Sequence, residues 1–545
     1  MRTESLPCSS LPVVSRLFLD YQTDATSLRR FYPSAVDRPA DVTDRVGDVL
    51  AAYSQDRDEL CDLLRDQNLS FGASPETLDS IELLRATDTV AVLSGQQTGL
   101  FSGPLYSVYK ALTAVKMAEC LRSGGTNAVP VFWMATEDHD LAEVSNAFVV
   151  DSVGKLSEER FAPVGSDEGL PVGNVQLNDS VVTAIDRLFD SLPRTEFSEE
   201  LRSELRKCWM PGKNFGEAFG SFFCRLLGKF GLVIVDPLDS GLKRMAAPLY
   251  VEAIRKSNAI VSALTNRSSE LTAAGYHSQV LIEDGYFPLF WHSDNGVRIA
   301  LRRTSDGRLQ AKGRRERFTE DELVEIAAAE PGRFSPGVML RPVVQDHLFP
   351  TICYFGGSAE VAYFAQNSEV YRILGRPVTT IIHRQSLTIV EPKHARSLEK
   401  YGLNFNDLFA GEDEIIRRVL DEFVDPATAQ LFSDIEEKIN AELERLDEAI
   451  SKLDPTLAEN LATRRRKINY HVGALRKKYY SRRAVTEEVI DRRVKAALTA
   501  LLPDGQLQER VVNIVSFLDR FGPGFVDWIY DSIDLEDKGH RVIYI

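Results

Sequence analysis

At 545 residues the chain exceeds one ordinary domain, and an apolar fraction of 44% is ample for a full core. Its formal net charge of −16 produces a field that repels polyanions, which argues against a general nucleic-acid or membrane-surface binder. Six cysteines (Cys8, Cys61, Cys120, Cys208, Cys224 and Cys353) include no C-x-x-C pair, which suits a reducing cytosol and argues against a metal cluster built from them.

The opening MRTESLPCSSLPVV has no long apolar core, and no stretch approaches the roughly 20 apolar residues of a membrane span. A soluble, cytoplasmic protein without solenoid repeats is expected. Residues up to about 84 read as helical, with breaks at Tyr32-Pro33-Ser34 and Phe71-Gly72-Ala73-Ser74-Pro75. Next comes AVLSGQQTGLFSGPLYSVYK, residues 91–110. An apolar strand over 89–93 breaks into a loop with Gly95, Gly99 and Gly103, and Pro104 opens a helix. Such a loop can present backbone N–H groups to an anion, or be no more than a glycine-punctuated turn. In the helix, Leu105, Val108, Leu112 and Val115 share one face, while Tyr106, Lys110 and Thr113 lie on another.

A second strand over 129–134 ends in Thr136-Glu137-Asp138-His139-Asp140, a group of charges that belongs at a mouth or surface. Residues 231–235 end in Asp236-Pro237, 351–355 in Gly356-Gly357-Ser358, and 378–382 in His383-Arg384. Repeated apolar strand, polar end and helix predict an α/β fold with a parallel-sheet core, whose ligands bind outside the carboxyl ends of the strands.

The α/β core is expected over about 1–391, with insertions at about 151–213, polar and largely helical, and about 284–333. The second contains a hairpin, VRIALRRTSDGRLQAK, turning at Asp306-Gly307. Its Arg298, Arg302, Arg303, Arg308 and Lys312 read as a solvated basic face or an anion-contacting flap. A helical domain follows over about 392–505. There, Leu431, Ile435, Ile439, Leu443, Leu446, Ile450 and Leu453 step by three and four, Asp454-Pro455-Thr456 interrupts, and Leu457, Leu461, Ile468, Val472 and Leu475 resume. This predicts an antiparallel helical hairpin or coiled coil whose seam closes on itself or forms a dimer contact. The second arm, RRRKINYHVGALRKKYYSRR, is basic and carries Tyr470, Tyr479 and Tyr480. The first arm is acidic, with Glu436, Glu437, Glu442, Glu444, Asp447 and Glu448, so pairing of the arms is favoured over nucleic-acid binding. The tail, about 506–545, is expected to be helical and to dock back on the core.

Three blocks, SGQQTGLFSGPLYSVYK with VPVFWMATEDHDLAEV, SPGVMLRPVVQDHLFPTICYFGGSAEVAYFAQ, and VTTIIHRQSLTIVE, resemble the bacillithiol biosynthesis cysteine-adding enzyme family, BshC, and the order of elements matches along essentially the whole chain. The resemblance implies a Rossmann-like core similar to class I nucleotidyltransferases, a coiled-coil homodimer, and a ligase joining L-cysteine to the amine of glucosaminyl-malate, with ATP activating the carboxylate. A ligase for another amino acid and a noncatalytic coiled-coil scaffold are the alternatives.

Amide formation requires an activated carboxylate, a bound polyanion and an acceptor for the amine proton. On that chemistry, Gly95, Gln96, Gln97, Thr98 and Gly99 are expected to hold phosphates or a carboxylate, with Lys110 and Ser107 reaching the same anion. His139 is the expected general base, oriented by Asp138 and Asp140. Glu137 or Glu143 is available to Mg2+, and no resident metal site is expected, since there is no H-E-x-x-H. Tyr106, Glu137, Arg341, Gln345, Gly357, Ser358 and Glu360 are candidates for substrate contacts. Arg384 and Ser386, with Arg510 and Trp528, are candidates for a separate adenine-nucleotide pocket. His277, His292 and His347 read more simply as structural.

Overall fold

The computed structural model describes residues 2–423, 426–452, 455–484 and 488–545. The elements that build the site are Val90–Gln96 (β1), Leu105–Ser123 (α1), Ala128–Met134 (β2), Val233–Val235 (β3), Ser240–Arg255 (α2), Arg341–Leu348 (α3), Thr351–Gly356 (β4), Ser358–Ile373 (α4) and Thr380–His383 (β5). The helical arms Pro426–Ser451 (α5) and Pro455–Ala484 (α6) complete the set.

The five strands form one parallel sheet in the order β5-β4-β1-β2-β3. Their continuous apolar runs are what a sheet covered on both faces demands, and β1, β2 and β4 are buried almost throughout. The chain moves from β1 outward to β2 and β3, then returns to the other side of β1 for β4 and β5. The reversal falls between β1 and β4, where Phe355 lies beside Ser94. In sheets of this kind that crevice, at the carboxyl ends, is where ligands bind.

Helix α1 departs from the expectation of one buried face. Lys110, Thr113 and Ser107 are buried as well as Val108 and Leu112. The reason is a second cover. The tail crosses the outer side of the helix, and the N–H of Leu105 donates to the Val512 carbonyl at 2.9 Å. Pro104 sits at the N-cap rather than inside the first turn.

Arg2–Leu6, His540–Tyr544 and Ser386–Val390 make a separate three-stranded sheet. The wholly helical readings of the first 84 residues and of the tail are corrected by these two short terminal strands. RTESL is too polar to show a strand period, and its neighbours come from residues hundreds of positions away. The tail otherwise forms the short helices Gln508–Val511, Val515–Phe521 and Gly524–Asp531, packed on the core.

A hairpin of Asn146–Val150 and Leu156–Arg160 leads into the first insertion, before the helices Ser180–Ser191 and Ser198–Cys208. The second contains the expected hairpin, Arg298–Arg303 paired with Leu309–Ala311, with Gly307 at φ 83° in the turn. Helices α5 and α6 run antiparallel. Arg465 pairs with Glu444 at 2.9 Å and Arg476 with Glu436 at 2.5 Å, so the acidic and basic arms answer one another as expected. Leu431, Leu446 and Leu475 of the seam remain exposed on the single chain. Leu453 and Asp454 lie outside the described residues, as do the side chains of Pro455, Thr456, Leu457 and Tyr480.

One buried ion pair fastens the tail to the end of the core. Arg384 donates to both carboxylate oxygens of Glu509 at 2.8 and 2.7 Å, and Glu509 also accepts from the Ser386 hydroxyl at 2.7 Å and the Leu387 N–H at 3.0 Å. Burial opposes its charge, but Arg384 and these donors prevail and hold the Glu509 carboxyl down at about 2. Its contribution to stability is therefore fully present above the ordinary glutamate range and is lost as pH falls through about 2. Glu509→Gln leaves the Arg384 charge buried and unpaired. The expected loss, measured by urea unfolding at neutral pH, is about 3–5 kcal/mol; a loss indistinguishable from that of an exposed substitution would contradict the assignment.

Candidate active site

At the crevice between β1 and β4 the strand ends open into a cavity of about 420 Å³. Gly95, Gln96 and Gln97 enter from the end of β1, Trp133 and Asp138 from β2, and Gly357, Ser358 and Glu360 from the turn after β4. Two glycines of the first loop are explained by close approach. A Cβ on Gly95 would meet the Trp133 carbonyl at 2.7 Å, and one on Gly99 would meet the Gly103 Cα at 2.6 Å. Phe101 and Ser102 follow at φ 53° and 82°, strained for side-chain-bearing residues. Asn513 of the tail holds that turn by donating to the carbonyls of Leu100, Phe101 and Gly103 at 3.1, 3.1 and 2.9 Å.

Lys110 projects from α1 into the crevice and donates to the Gly95 carbonyl at 3.0 Å, to the Gln96 amide oxygen at 2.7 Å and to Glu360. Burial lowers its hold on the proton, and Glu360 only partly restores it. Glu360 also accepts from the Tyr354 hydroxyl at 2.9 Å and the Gly357 N–H at 2.7 Å. Burial raises its pKa, but Lys110 and these donors outweigh that and keep it ionised.

The opposite wall is cationic and incompletely satisfied. Arg341 makes no ion pair among the described residues; its guanidinium donates to the Tyr363 hydroxyl at 3.3 Å. Trp133 Nε1 and Gln345 Nε2, both buried, have no protein acceptor. Both atoms lie beneath the cavity surface, so the cation open to a ligand on this wall is Arg341, which is partly exposed. Arg384 reaches the same cavity with its charge answered by Glu509, and Arg510 reaches it with no ion pair among the described residues.

A third corner is acidic. The Gln97 amide donates to Asp138 at 3.2 Å and to Glu143 at 2.9 Å, holding two carboxylates side by side. Burial raises the Asp138 pKa, yet Arg298, the His139 N–H and Gln97 bring it below the usual range. Arg298 arrives from the hairpin of the second insertion, so at this residue the solvated-face reading fails. Its side chain is 8% exposed, stacks 3.6 Å over the Phe290 ring and lies 3.4 Å from Asp138.

His139 does not enter the cavity wall as a base. Its Nδ1 lies 3.1 Å from the Arg298 guanidinium, which can only donate. Nδ1 is thereby the acceptor, and the neutral ring carries its proton on Nε2. Burial first, then the Arg298 charge, keeps the ring neutral by lowering its pKa. In this arrangement Nε2–H is the ring's free donor, and His139 does not line the cavity that Asp138 lines.

Other expectations are corrected by neighbours that the sequence does not show. Glu137 is buried in an ion pair with Lys243, which also donates to the Phe334 carbonyl at 2.7 Å, so it is not available to substrate or Mg2+. Asp140 caps the short helix Leu141–Val144 by accepting from the Glu143 N–H at 3.2 Å. Thr98 is buried away from the cavity, and Gly99 lines a neighbouring one. Ser386 is enclosed between Glu509 and His540, and Trp528 stacks on Phe525 at 5.7 Å, so the separate nucleotide pocket of Arg384, Ser386, Arg510 and Trp528 is not formed. His292 and His347 are buried, with Ser335 and the Met245 carbonyl as partners at 2.8 and 3.0 Å, and His277 is exposed. Tyr106, Lys110, Arg341, Gln345, Gly357, Ser358 and Glu360 do converge. Trp133, Tyr354, Glu509 and Asn513 went unnoticed in the sequence; only Trp133, at a strand end beside TEDHD, carried a signal.

A Rossmann-like parallel sheet with a polar cavity at its switch point and an appended antiparallel coiled coil define the class of this α/β protein. Residues 1–385 match the family model described as "Bacillithiol biosynthesis BshC, N-terminal Rossmann-like domain", and residues 387–545 match its "C-terminal coiled-coil domain". The chain belongs to the BshC family. It is 37% identical to a protein of Koribacter versatilis over the whole of both chains, and 35% identical to one of Solibacter usitatus over 98% of each. A protein of Salinibacter ruber is 33% identical over 98% of this chain and 97% of its own. All three bear the name "Putative cysteine ligase BshC".

Replacing Arg298 by Met removes the charge facing His139 Nδ1. An NMR titration should then show the His139 pKa moving up toward the ordinary value of about 6.5, while an unchanged midpoint would contradict the contact.

Proposed function

We propose that the chain is a cysteine ligase that joins the carboxyl group of L-cysteine to the amine of glucosaminyl-malate, forming an amide in bacillithiol biosynthesis. The observation that carries this reading is the partly exposed Arg341 at the cavity wall, without a carboxylate partner among the described residues. Such a wall suits a carboxylate or phosphate. The relatives' name supplies the amino acid.

Bound ATP would supply the activating group: a carboxylate oxygen takes a phosphoryl or adenylyl group as a P–O bond of ATP breaks, with ADP or pyrophosphate released. Arg341 holds the anionic end of the activated cysteine, and Lys110, its three donors held by Gly95, Gln96 and Glu360, keeps the end of the first strand in place beside it. The acceptor amine lies on the Asp138–Glu143 side. Its nitrogen forms the new C–N bond as the C–O bond to the leaving group breaks. The amine proton passes to the carboxylate corner, and the leaving group departs with the bonding pair. A divalent cation accompanying the phosphates would find Asp138 and Glu143 among the acidic groups of the cavity lining; no set of three acidic, His or Cys ligands is gathered among the described residues.

The exposed seam leucines support a homodimer through the coiled coil. Five of the six free cysteines are buried, which suits a reducing cytoplasm. No helix among the described residues is long and apolar enough to cross a membrane.

Purified full-length protein incubated with L-cysteine, glucosaminyl-malate and ATP should yield the amide by mass spectrometry, and Arg341→Ala should lower kcat/KM by about 100-fold or more. No product under any nucleotide condition would contradict the reading. ATP–pyrophosphate exchange supported by another amino acid and not by cysteine would assign a different ligase.

A further inference from the structure

Beside the switch-point cavity lies a second one, of about 280 Å³. Gln96, Gln97, Tyr106, Glu143 and Arg510 line both and form their common wall. The two differ in chemistry. The first holds Arg341, a cation without a carboxylate partner among the described residues, beside the Lys110–Glu360 pair and Arg384. The second has Arg510 as its one lining cation and adds Asp504, Gln506 and Asn146, with Phe148 and Pro104 as apolar surface.

Amide and carboxylate side chains around a small apolar face suit a ring bearing hydroxyls, since each hydroxyl both donates and accepts. Glu143 at the common wall suits an amine. The volume is near the lower end of the roughly 300–1,000 Å³ typical of small-molecule sites, the size for one sugar ring rather than a nucleotide. Arg510, at the boundary and without an ion pair among the described residues, is placed to meet a carboxylate of the same molecule.

We infer that the second cavity is the amino-sugar subsite of the acceptor. The hydroxyls of the sugar lie against Asp504, Gln506 and Asn146, its amine at Glu143 faces the first cavity, and its malyl carboxylates meet Arg510. This placement rests on the ligase reading above and deepens it. It puts the nucleophile at the wall between the Arg341 chamber and a hydroxyl-lined one, so the two substrates enter different chambers and meet at Glu143, Gln96 and Tyr106.

The test is calorimetric binding to the full chain, with glucosaminyl-malate, L-malate and L-cysteine as separate probes. Gln506→Ala and Asp504→Asn, on an exposed turn, and Asn146→Ala should each weaken glucosaminyl-malate by about fivefold to tenfold, or about 1 kcal/mol. Malate and cysteine should bind these variants as they bind the wild type. Arg510→Ala should weaken both glucosaminyl-malate and malate. Saturation-transfer NMR on the wild type, which needs no variant to fold, should show magnetisation reaching the sugar-ring protons as strongly as the malyl protons. Undiminished affinity in the variants, or sugar protons without transfer, overturns the subsite while leaving the ligase reading in place. A wild type that binds no glucosaminyl-malate overturns both.

Discussion

The ion pair between Lys110 and Glu360 is the constraint around which the core is arranged. An ammonium group with almost no exposure is tolerated only where its charge and donors are answered, and here they are answered by Glu360, the Gly95 carbonyl and the Gln96 amide. Each partner belongs to a strand end on one side of the reversal in the sheet. The pair therefore ties the end of β1 to the turn after β4 across the crevice where a ligand must sit. Through Tyr354 and the Gly357 N–H, Glu360 also fixes the start of α4. Rigidity and charge at this point have the same source.

The tail explains why the chain returns to its core after a long helical excursion. Glu509 neutralises Arg384, Asn513 holds the strained turn after the first loop, and Arg510 between them faces both cavities. These residues come from a stretch of five positions, and Glu509 and Asn513 each meet a partner more than a hundred residues away. The site is thus complete only when the last segment is in place.

The parallel core was legible because buried strands leave apolar runs and their polar ends recur at each one; GLVIVDP and TICYFGGS show the pattern plainly. The coiled-coil arms were legible from charge, since Glu436 and Glu444 find Arg476 and Arg465 at the register the sequence allows. What sequence could not reveal was direction. Glu137 and Asp138 are neighbours in the chain, yet one turns inward to Lys243 and the other faces the cavity. The role of His139 depended on Arg298, 159 residues away, whose guanidinium takes the Nδ1 lone pair. Ser386 and Trp528 looked available because their partners, Glu509 and Phe525, could not be placed without the fold.

Placement of the amide chemistry in the crevice between β1 and β4 is tested by a crystal structure of the full chain with L-cysteine and a non-hydrolysable ATP analogue. A carboxylate or phosphate is expected within hydrogen-bonding distance of the Arg341 guanidinium. Density for both ligands outside that crevice, with Arg341 still unpaired, would contradict it.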